Sequence, residues 1–233
     1  MNLLITGAGR GLGLQLAKLA VKRGHTVIAC MRETAEASEG LLQLASEYGD
    51  MVRITRLNVT REEEAAQLAA RLAEEGVKLH GIINNAAILL GREHSLEELP
   101  IHLVKLSFDV NVFGPIIVMK HLSPLLADNA GSIVLNISSE AGSVALAYGG
   151  DYPYAMSKAT VNMFSKQLKS ALHKRGIRVF AVHPGWIRTD MGGQSAPLEA
   201  WESAESILNI AEGKTSIAEE LVFIDYTGRS MPL

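Results

Sequence analysis

Tyr154 and Lys158 stand four residues apart in a stretch, residues 153–174, whose apolar periodicity predicts an amphipathic helix. Side chains four residues apart share one face of a helix, so we expect the phenol and the ammonium to be neighbours. A nearby positive charge favours the phenolate and lowers a tyrosine pKa that is otherwise about 10. The pair therefore predicts acid/base chemistry near neutral pH, although a tyrosine and a lysine at this spacing also occur by chance.

A glycine-rich segment, T-G-A-G-R-G-L-G over residues 6–13, joins the first apolar run to a predicted helix over residues 11–23. Glycines let the backbone turn tightly and approach a pyrophosphate, and the free N–H groups of a helix start can bind it. The spacing is not G-x-G-x-x-G, because Leu12 takes the third glycine position, and no Gly-Lys-Ser/Thr follows as in a P-loop. The segment predicts a dinucleotide site, with a turn that binds no ligand as the alternative. The predicted contacts are Gly7, Arg10, Gly11, Leu12 and Gly13.

Seven short apolar runs, rich in valine and isoleucine, alternate with helical stretches along the chain. The runs are continuously apolar, which is typical of strands covered on both faces in a parallel sheet. The alternation predicts an α/β fold, a single doubly wound Rossmann-type domain over residues 1–233 with a seven-stranded parallel sheet. The predicted strands are residues 2–6, 25–30, 51–57, 79–84, 132–138, 177–182 and 220–225.

Two irregular segments, residues 139–152 and 183–197, each follow a predicted strand directly. In open α/β sheets, ligands bind at the carboxyl ends of the strands. Both segments are therefore candidate site loops, and the first of them leads into the helix that carries the tyrosine and lysine pair.

Composition and charge disfavour several classes of partner. The chain has 233 residues, a formal net charge of −3 and a single cysteine, Cys30, so neither a basic surface for nucleic acid nor an intramolecular disulfide is expected. The absence of a cationic leader and of a run of about 18 consecutive apolar residues predicts a cytoplasmic protein with no membrane partner. The seven histidines show no metal-binding spacing, so no metal is predicted.

The motif T-G-x-x-x-G-x-G at residues 6–13 and Y-x-x-x-K at residues 154–158 are similar to those of the short-chain dehydrogenase/reductase family. The resemblance, which extends over nearly the whole chain, implies that Tyr154 donates a proton and that Lys158 holds the ribose and tunes the phenol. The family pattern also places a catalytic serine two residues before an Ala-Gly pair, which selects Ser139 over Ser138. A turn cap is the alternative role for this Ser-Ser pair. The spacing from Ser139 to Tyr154 is longer than is common in the family.

Asn111 matches an asparagine whose main-chain carbonyl, in this family, holds a water in a proton relay to the lysine. Pro115 lacks the N–H that would bond the carbonyl four residues earlier in a helix, so we expect the Asn111 carbonyl to be free for water. The alternative is a proline kink that serves only packing.

Three further segments resemble the family's nucleotide-binding motifs. The segment N-N-A-A at residues 84–87 resembles N-N-A-G on the adenosine side, and P-G-W-I-R-T at residues 184–189 resembles P-G-x-x-x-T, which holds the nicotinamide carboxamide. Asn58 stands where the family usually has the aspartate that reads adenine, and its amide oxygen can still accept from an amino group. The predicted contacts here are Asn58, Val59, Asn85, Ala86, Tyr154, Lys158, Pro184, Gly185, Ile187 and Thr189.

The choice between the two nicotinamide cofactors is predicted from the end of the second strand. NAD-dependent members carry an acid there, whereas this chain reads A-C-M-R at residues 29–32. Arg32 is well placed for a 2′-phosphate, with Arg10 as a second cation, and guanidinium groups bind phosphate through charge-assisted hydrogen bonds. NADP(H) is therefore predicted over NAD(H), with two solvated loop arginines as the alternative.

Residues 183–193, 196–198 and 223–228 resemble the carbonyl-reductase branch of the family, which includes bacterial C-factor and the insect sniffer proteins. The resemblance implies NADP(H)-dependent hydride transfer to or from a small hydrophobic ketone, aldehyde or alcohol. It also implies a homodimer or homotetramer formed through the helices that bear Asn111 and Tyr154. The alternatives are a C-factor-like signalling protein and a nucleotide-sensing regulator on the same fold. The predicted substrate pocket is Leu90, Leu146, Tyr148, Trp186, Met191 and Trp201.

Overall fold

The structure, a computed structural model, describes residues 1–33 and 38–233. Within them the strands are β1 (Asn2–Thr6), β2 (Thr26–Met31), β3 (Val52–Arg56), β4 (Gly81–Asn84), β5 (Ile133–Ile137), β6 (Arg178–His183), β7 (Ile187–Arg188), β8 (Leu198–Glu199) and β9 (Phe223–Asp225). Seven of these strands form one parallel sheet in the order β3-β2-β1-β4-β5-β6-β9. The direction of the strand order reverses between β1 and β4, which is where ligands bind in a doubly wound fold.

The predicted seven-stranded parallel sheet is confirmed, because each of the seven apolar runs overlaps one of its strands, although β2 and β6 each extend one residue further. Every residue of β4, β5 and β9 is buried, as expected for strands covered on both faces. The last strand begins at Phe223 rather than at Glu220, since residues 219 and 220 form an exposed turn. β7 and β8, which pair with each other beside the main sheet, were not predicted from the sequence.

Helices cover both faces of the sheet and divide the core into two layers. On one face Leu16 and Leu208 pack in the first layer, and on the other face Leu68 and Leu122 pack in the second. The helices are α1 (Gly11–Lys22), α2 (Glu39–Tyr48), α3 (Glu62–Glu74), α4 (Ile101–Phe108), α5 (Gly114–Leu122), α6 (Tyr152–Leu172) and α7 (Ala200–Ala211). This arrangement leaves the carboxyl ends of the strands open between the two layers.

A wide π turn, Asp109–Phe113, joins α4 to α5 in one helical run, with the Gly114 N–H bonded to the Asp109 carbonyl. Pro115 contributes to the widening because it has no N–H to offer the α-helical hydrogen-bond ladder. Gly114 lets the helical run pass close to the loop that precedes α3. A Cβ on Gly114 would lie 2.9 Å from Cγ2 of Val59 in that loop. Such turns are frequent at functional sites, and this one holds the asparagine of the predicted proton relay.

The run Ile101–Leu125 is long and apolar enough, by length and composition, to cross a membrane, with a mean hydropathy of 1.5. The sequence-based expectation counted only uninterrupted apolar residues, so it missed a run that a few charged residues interrupt. Val118 and Leu122 pack in the core, whereas Ile101, Phe113 and Ile116 are exposed. The run therefore has one apolar face against the sheet and a second apolar face on the surface.

α6 carries Tyr154 and Lys158 and is seated closely against the segment that follows β5. A Cβ on Gly142 would lie 2.6 Å from the Lys158 carbonyl carbon, so a side chain there would push the two segments apart. At its start, α6 follows Asp151, whose φ of +47° makes it the one non-glycine residue in the left-handed region among the described residues. α6 is thus fixed by close backbone contact at Gly142 and by the unusual backbone conformation of Asp151.

Candidate active site

A cleft of about 760 Å³ opens at the carboxyl ends of the central strands, a volume within the ~300–1,000 Å³ of small-molecule sites. Every residue predicted to contact the nucleotide lines this cleft except Gly13. Ser139, Tyr154 and Lys158 also line it, whereas Asn111 does not. The fold thus brings together side chains that are separated by up to 180 residues in sequence, from the glycine loop to the segment after β6.

The glycine loop is bonded to the residues that follow β4. Asn85 donates through Nδ2 to the carbonyls of Thr6 and Gly7, at 2.9 and 3.2 Å, and its N–H donates to Thr6 Oγ1 at 3.0 Å. Gly7 and Gly11 have φ of +65° and +52°, which favours glycine. A Cβ on Gly13 would lie 2.3 Å from the Gly7 carbonyl oxygen. Gly13 therefore allows α1 to pack on the loop, and it does not itself line the cleft.

The start of α1 suits an anionic group. No side chain caps its free N–H groups, and its first turn contains no acidic residue. The partial positive charge of a helix start then faces the cleft unopposed, which is the arrangement that binds a pyrophosphate. Together with the absence of side chains on the glycines, this cradle fits the phosphates of a dinucleotide.

Asn58 is already engaged through the oxygen that was expected to read adenine. Its Oδ1 accepts from the N–H and the hydroxyl of Thr60, at 3.1 and 2.9 Å, and its own N–H donates to Glu64 Oε2 at 2.8 Å. Val59 is buried beneath it on the cleft wall. The amide NH₂ of Asn58 is therefore the freer group toward the cleft, in place of the expected oxygen.

The two candidate phosphate-binding arginines lie at the cleft edge in different settings. Arg32 is exposed and is the first residue after β2, as expected from the sequence. Arg10 instead donates to Asp190 Oδ2 at 2.8 Å, and both of these side chains are more than 70% exposed. Glu33, which the sequence-based prediction overlooked, also lines the cleft and pairs with Arg56 at 3.4 Å. Arg32 is the stronger of the two phosphate candidates, because Arg10 already has an acidic partner.

Lys158 is almost fully buried, with 2% of its surface exposed. Its Nζ donates to the Ile137 carbonyl at 2.7 Å and lies 5.4 Å from the centre of the Tyr154 ring. Burial lowers the pKa of Lys158 to about 8, because the protein interior disfavours the charged form. The ammonium is thus held beside the phenol with one of its protons bonded to the backbone.

The pKa of Tyr154 is raised, which corrects the expectation that the lysine would lower it. Burial is the largest cause, since it disfavours the phenolate. A hydrogen bond to Ser139 and the positive charge of Arg92 lower the pKa, while the negative charge of Asp151 raises it. In this state the phenol therefore carries its proton at neutral pH.

Ser139 and Ser138 have different partners, although they are neighbours. Ser138 is buried and donates to Asn162 Oδ1 at 2.6 Å. Ser139 is only partly buried, and its Oγ accepts from the Ala141 N–H at 3.2 Å. The Ser139 oxygen therefore caps the short turn after β5, as in the alternative interpretation, while its O–H is left to act in the cleft beside Tyr154.

Asn111 braces the site from behind the cleft wall. Its Nδ2 donates to the Ile88 carbonyl at 2.9 Å and to Ser157 Oγ at 3.0 Å, and its Oδ1 accepts from the Ile88 N–H at 2.8 Å. The side chain thereby joins the π turn to the loop after β4 and to α6. Any part in a proton relay falls to its main-chain carbonyl, as the resemblance implies.

The substrate end of the cleft contains only part of the predicted pocket. Tyr148, Trp186 and Met191 line the cleft. Trp186 Nε1 donates to the Gly192 carbonyl at 2.7 Å, which folds this loop over the cleft.

Leu90, Leu146 and Trp201 do not line the cleft, so the structure does not bring these three predicted residues to it. Leu90 precedes Gly91, whose φ is +75°. Leu146 follows Ala145, whose N–H donates to the carbonyl of Leu233 at 3.2 Å. The side chain of Trp201, in the first turn of α7, is half exposed.

An ion pair at the substrate end was not predicted. Arg92, in the loop after β4, forms two hydrogen bonds with Asp151, Nε to Oδ1 at 2.9 Å and Nη2 to Oδ2 at 3.0 Å. The Tyr148 hydroxyl donates to Oδ2 of the same carboxylate at 2.9 Å. The sequence signal was the longer spacing between Ser139 and Tyr154, because Asp151 follows the two glycines that accommodate it.

His183, at the end of β6, also lines the cleft and had no role predicted from the sequence. Its Nδ1 accepts from the Glu140 N–H at 3.1 Å, and burial lowers the pKa of its ring. The neutral imidazole therefore supports the turn that follows Ser139. Among the described residues, no group of three histidine, cysteine, aspartate or glutamate side chains could hold a metal ion.

The chain is similar to known proteins in both sequence and structure. A family model described as short chain dehydrogenase matches residues 1–200. The NADP-dependent 3-hydroxy acid dehydrogenase YdfG of Escherichia coli K12 is 30% identical over 192 residues, which cover 80% of this chain and 73% of that protein.

Two solved structures resemble the whole chain. Carbonyl reductase Sniffer of D. melanogaster has a TM-score of 0.87 and 26% identity, with 100% of this chain and 99% of that chain covered. The NADPH-bound carbonyl reductase from chicken fatty liver has a TM-score of 0.89 and 27% identity, with 100% and 98% covered. The chain is thus similar to dehydrogenases and reductases in both sequence and fold.

The buried charge of Lys158 predicts a pH-dependent stability. Its pKa is about 8 when folded and about 10.5 when unfolded, so between these values the unfolded chain binds more protons and stability rises with pH. The unfolding free energy of the wild type, minus that of Lys158→Met, should therefore increase by about 3 kcal/mol from pH 8 to pH 10.5. Urea denaturation at several pH values measures this difference. Lys166→Met, which removes an exposed ammonium from the same helix, is the control; an equal pH dependence in both variants would contradict the assignment.

Proposed function

The chain belongs to the short-chain dehydrogenase family, and from this premise we propose that it is an NADP(H)-dependent carbonyl reductase for a small hydrophobic ketone or aldehyde. One observation carries the proposal. Tyr154, Lys158 and Ser139 meet in a single cleft whose other end is the glycine cradle. Residues 1–233 would act as one domain around this cleft.

The reductive reaction assigns a separate task to each polar group. When bound, the nicotinamide supplies a hydride to the carbonyl carbon. Tyr154 Oη gives its proton to the carbonyl oxygen as negative charge develops there, and its raised pKa keeps that proton available at neutral pH. The Ser139 hydroxyl donates a hydrogen bond to the same oxygen and holds it against the phenol.

Lys158 stabilises the phenolate that forms when Tyr154 gives up its proton. With a pKa of about 8, the ammonium is charged at neutral pH, and its low-dielectric surroundings strengthen its attraction to the phenolate. One of its protons is bonded to Ile137, which leaves two to hold ribose hydroxyls. The Asn111 carbonyl, on the π turn, would anchor the water through which the proton is replaced.

Preference for NADP(H) is supported by Arg32. It is exposed at the end of β2, where a guanidinium can form charge-assisted hydrogen bonds with a 2′-phosphate. Arg10 can contribute only by leaving Asp190 or by binding through its remaining donors. The NADP-dependent and NADPH-bound relatives are consistent with this preference.

A hydrophobic substrate is supported by the exposed rings and thioether at the cleft mouth, Tyr148, Trp186 and Met191. The charge of Arg92 is balanced by Asp151, so the pocket has no unpaired charge there that would demand an anionic substrate. We place the reaction in the cytoplasm, where the single reduced cysteine, buried at Cys30, is expected.

A nucleotide-sensing regulator or a C-factor-like signalling protein is the alternative function. Neither role would need a proton donor, a serine and a buried lysine arranged in one cleft. The catalytic proposal therefore explains more of the site.

We also propose a homodimer or homotetramer formed through the exposed apolar face of α4, α5 and α6. That face contains Ile101, Phe113, Ile116, Met156 and Met163. Light scattering should give the mass of two or four chains for the wild type, and a smaller assembly for Ile101→Glu because the charge would be buried unpaired. A wild type of one-chain mass would contradict this part of the proposal.

Replacement of Tyr154 by phenylalanine tests the catalytic assignment. It removes only the acidic hydroxyl, so turnover should fall by about 100- to 10,000-fold while NADPH still binds with similar affinity. A carbonyl panel followed by NADPH absorbance measures turnover, and NADPH fluorescence measures binding. Tyr152→Phe, on the same helix but outside the cleft, is the matched control and should retain full turnover. Retained turnover in the Tyr154 variant would refute the assignment.

Replacement of Arg32 by glutamine tests the cofactor preference. The loss of a charge-assisted contact to phosphate should raise the KM for NADPH by about 10- to 100-fold, and the KM for NADH should change little. Steady-state kinetics with both cofactors measure the two values. Arg71→Gln, an exposed arginine on α3 away from the cleft, is the control. A wild type that uses NADH as efficiently as NADPH would show that the preference is absent.

A further inference from the structure

The ion pair between Arg92 and Asp151 has no part in the mechanism above, yet it links two segments that border the active site. Arg92 lies one residue beyond Gly91 in the loop that follows β4. Asp151 is the residue immediately before α6, three positions from Tyr154. The pair therefore connects the β4 loop directly to the first turn of the catalytic helix.

The carboxylate of Asp151 is used in an unusual way for a residue at a helix start. Such a side chain ordinarily accepts from the free N–H groups of the first turn, but Asp151 caps none of them. Its Oδ1 accepts from Arg92, and its Oδ2 accepts from both Arg92 and Tyr148. Its main chain starts the helix instead, because its carbonyl accepts from the Ala155 N–H at 2.8 Å.

The backbone and burial of Asp151 suggest that the pair is more than a surface contact. The residue has a φ of +47°, a conformation that persists in a non-glycine residue when its surroundings hold it there. Its side chain is only 8% exposed, whereas that of Arg92 is 57% exposed. A buried carboxylate needs its partner, so the loss of Arg92 would release the Asp151 side chain from the position that fixes the helix start.

We propose that Arg92 is a positioning residue for Tyr154, which it serves by holding Asp151 and the first turn of α6 and by balancing the Asp151 charge beside the phenol. This inference rests on the proposed function, in which Tyr154 transfers the proton. Tyr148, whose hydroxyl bonds the same carboxylate and whose ring lines the cleft, extends the arrangement to the substrate end.

The charges that face Tyr154 come from three segments. Lys158 lies along α6, Arg92 on the β4 loop, and Asp151 before the helix. Arg92 lowers the pKa of Tyr154 and Asp151 raises it, so the two charges oppose each other at the phenol. Removal of either one should therefore shift the titration of Tyr154, and the two removals should shift it in opposite directions.

The first test is the pH dependence of alcohol oxidation, which requires the ionised phenol. Arg92→Gln leaves the Asp151 carboxylate unbalanced, so the alkaline rise in kcat should move to higher pH. Asp151→Asn leaves the guanidinium unbalanced, so the rise should move to lower pH. Glu93→Gln, an exposed neighbour on the same loop and outside the cleft, changes charge without touching the pair and should leave the profile in place.

Arg92→Lys separates charge from geometry. It keeps the positive charge but loses the two-pronged contact, so the pH profile should stay near that of the wild type while kcat falls by about 10- to 100-fold. The KM for NADPH should remain unchanged, because the glycine cradle is at the other end of the cleft. A purely structural role would lower the melting temperature without moving the profiles of the other two variants in opposite directions.

A readout that does not depend on turnover distinguishes this inference from the proposed function. The tyrosinate absorbance of each protein, minus that of the same protein carrying Tyr154→Phe, gives the titration of a single phenol. Opposite shifts in Arg92→Gln and Asp151→Asn would support the positioning role, even if no substrate were turned over. Shifts in the same direction, or no shift in either variant of an active enzyme, would overturn it.

Discussion

The burial of the Lys158 ammonium is the constraint on which the site depends. Removing a charge from water is unfavourable, and here it depresses the pKa of the group to about 8. The Ile137 carbonyl compensates in part, at 2.7 Å, because β5 ends where α6 passes over it. That approach is possible because Gly142 has no side chain to separate the β5 segment from the Lys158 backbone. The same contact brings the serine that follows β5 to the tyrosine on α6.

The nucleotide end of the cleft is formed by backbone, and the other end is formed by loop side chains. The sequence therefore indicates the reaction type more clearly than the substrate. At the nucleotide end, Asn85 bonds the glycine loop to the loop after β4, and the position left by Gly13 is too small for any Cβ. This end is formed by the backbone and has little freedom to vary. The proposed substrate end is formed by loop side chains such as Tyr148, Trp186 and Met191, which are exposed.

The main sheet and the placement of Tyr154 beside Lys158 could be predicted from the sequence, because both depend on residues that are near one another in the chain. Continuous apolar runs become buried strands, and a spacing of four residues places Tyr154 and Lys158 on one helical face. The raised pKa of Tyr154 could not be predicted, because it depends on burial among segments that are distant in the chain. The sequence also did not indicate that Leu90 and Leu146 would not line the cleft, since long-range contacts decide which way a loop faces. For Asp151 the longer spacing between Ser139 and Tyr154 was the only signal, because its left-handed backbone and its bond to Arg92 depend on long-range contacts.

We propose that this cleft transfers a hydride between the nicotinamide and a carbonyl carbon, with the proton supplied by the phenol of Tyr154. The most direct test uses NADPH deuterated at C4 on one face or the other, with the carbonyl substrate that the purified wild type turns over fastest. One of the two labelled forms should deliver a single deuterium to the carbinol carbon, measured by mass spectrometry and NMR. Tyr154→Phe should slow this transfer by about 100- to 10,000-fold, whereas Tyr152→Phe should leave it unchanged. Product without cofactor-derived deuterium, or undiminished transfer in the Tyr154 variant, would contradict the proposal.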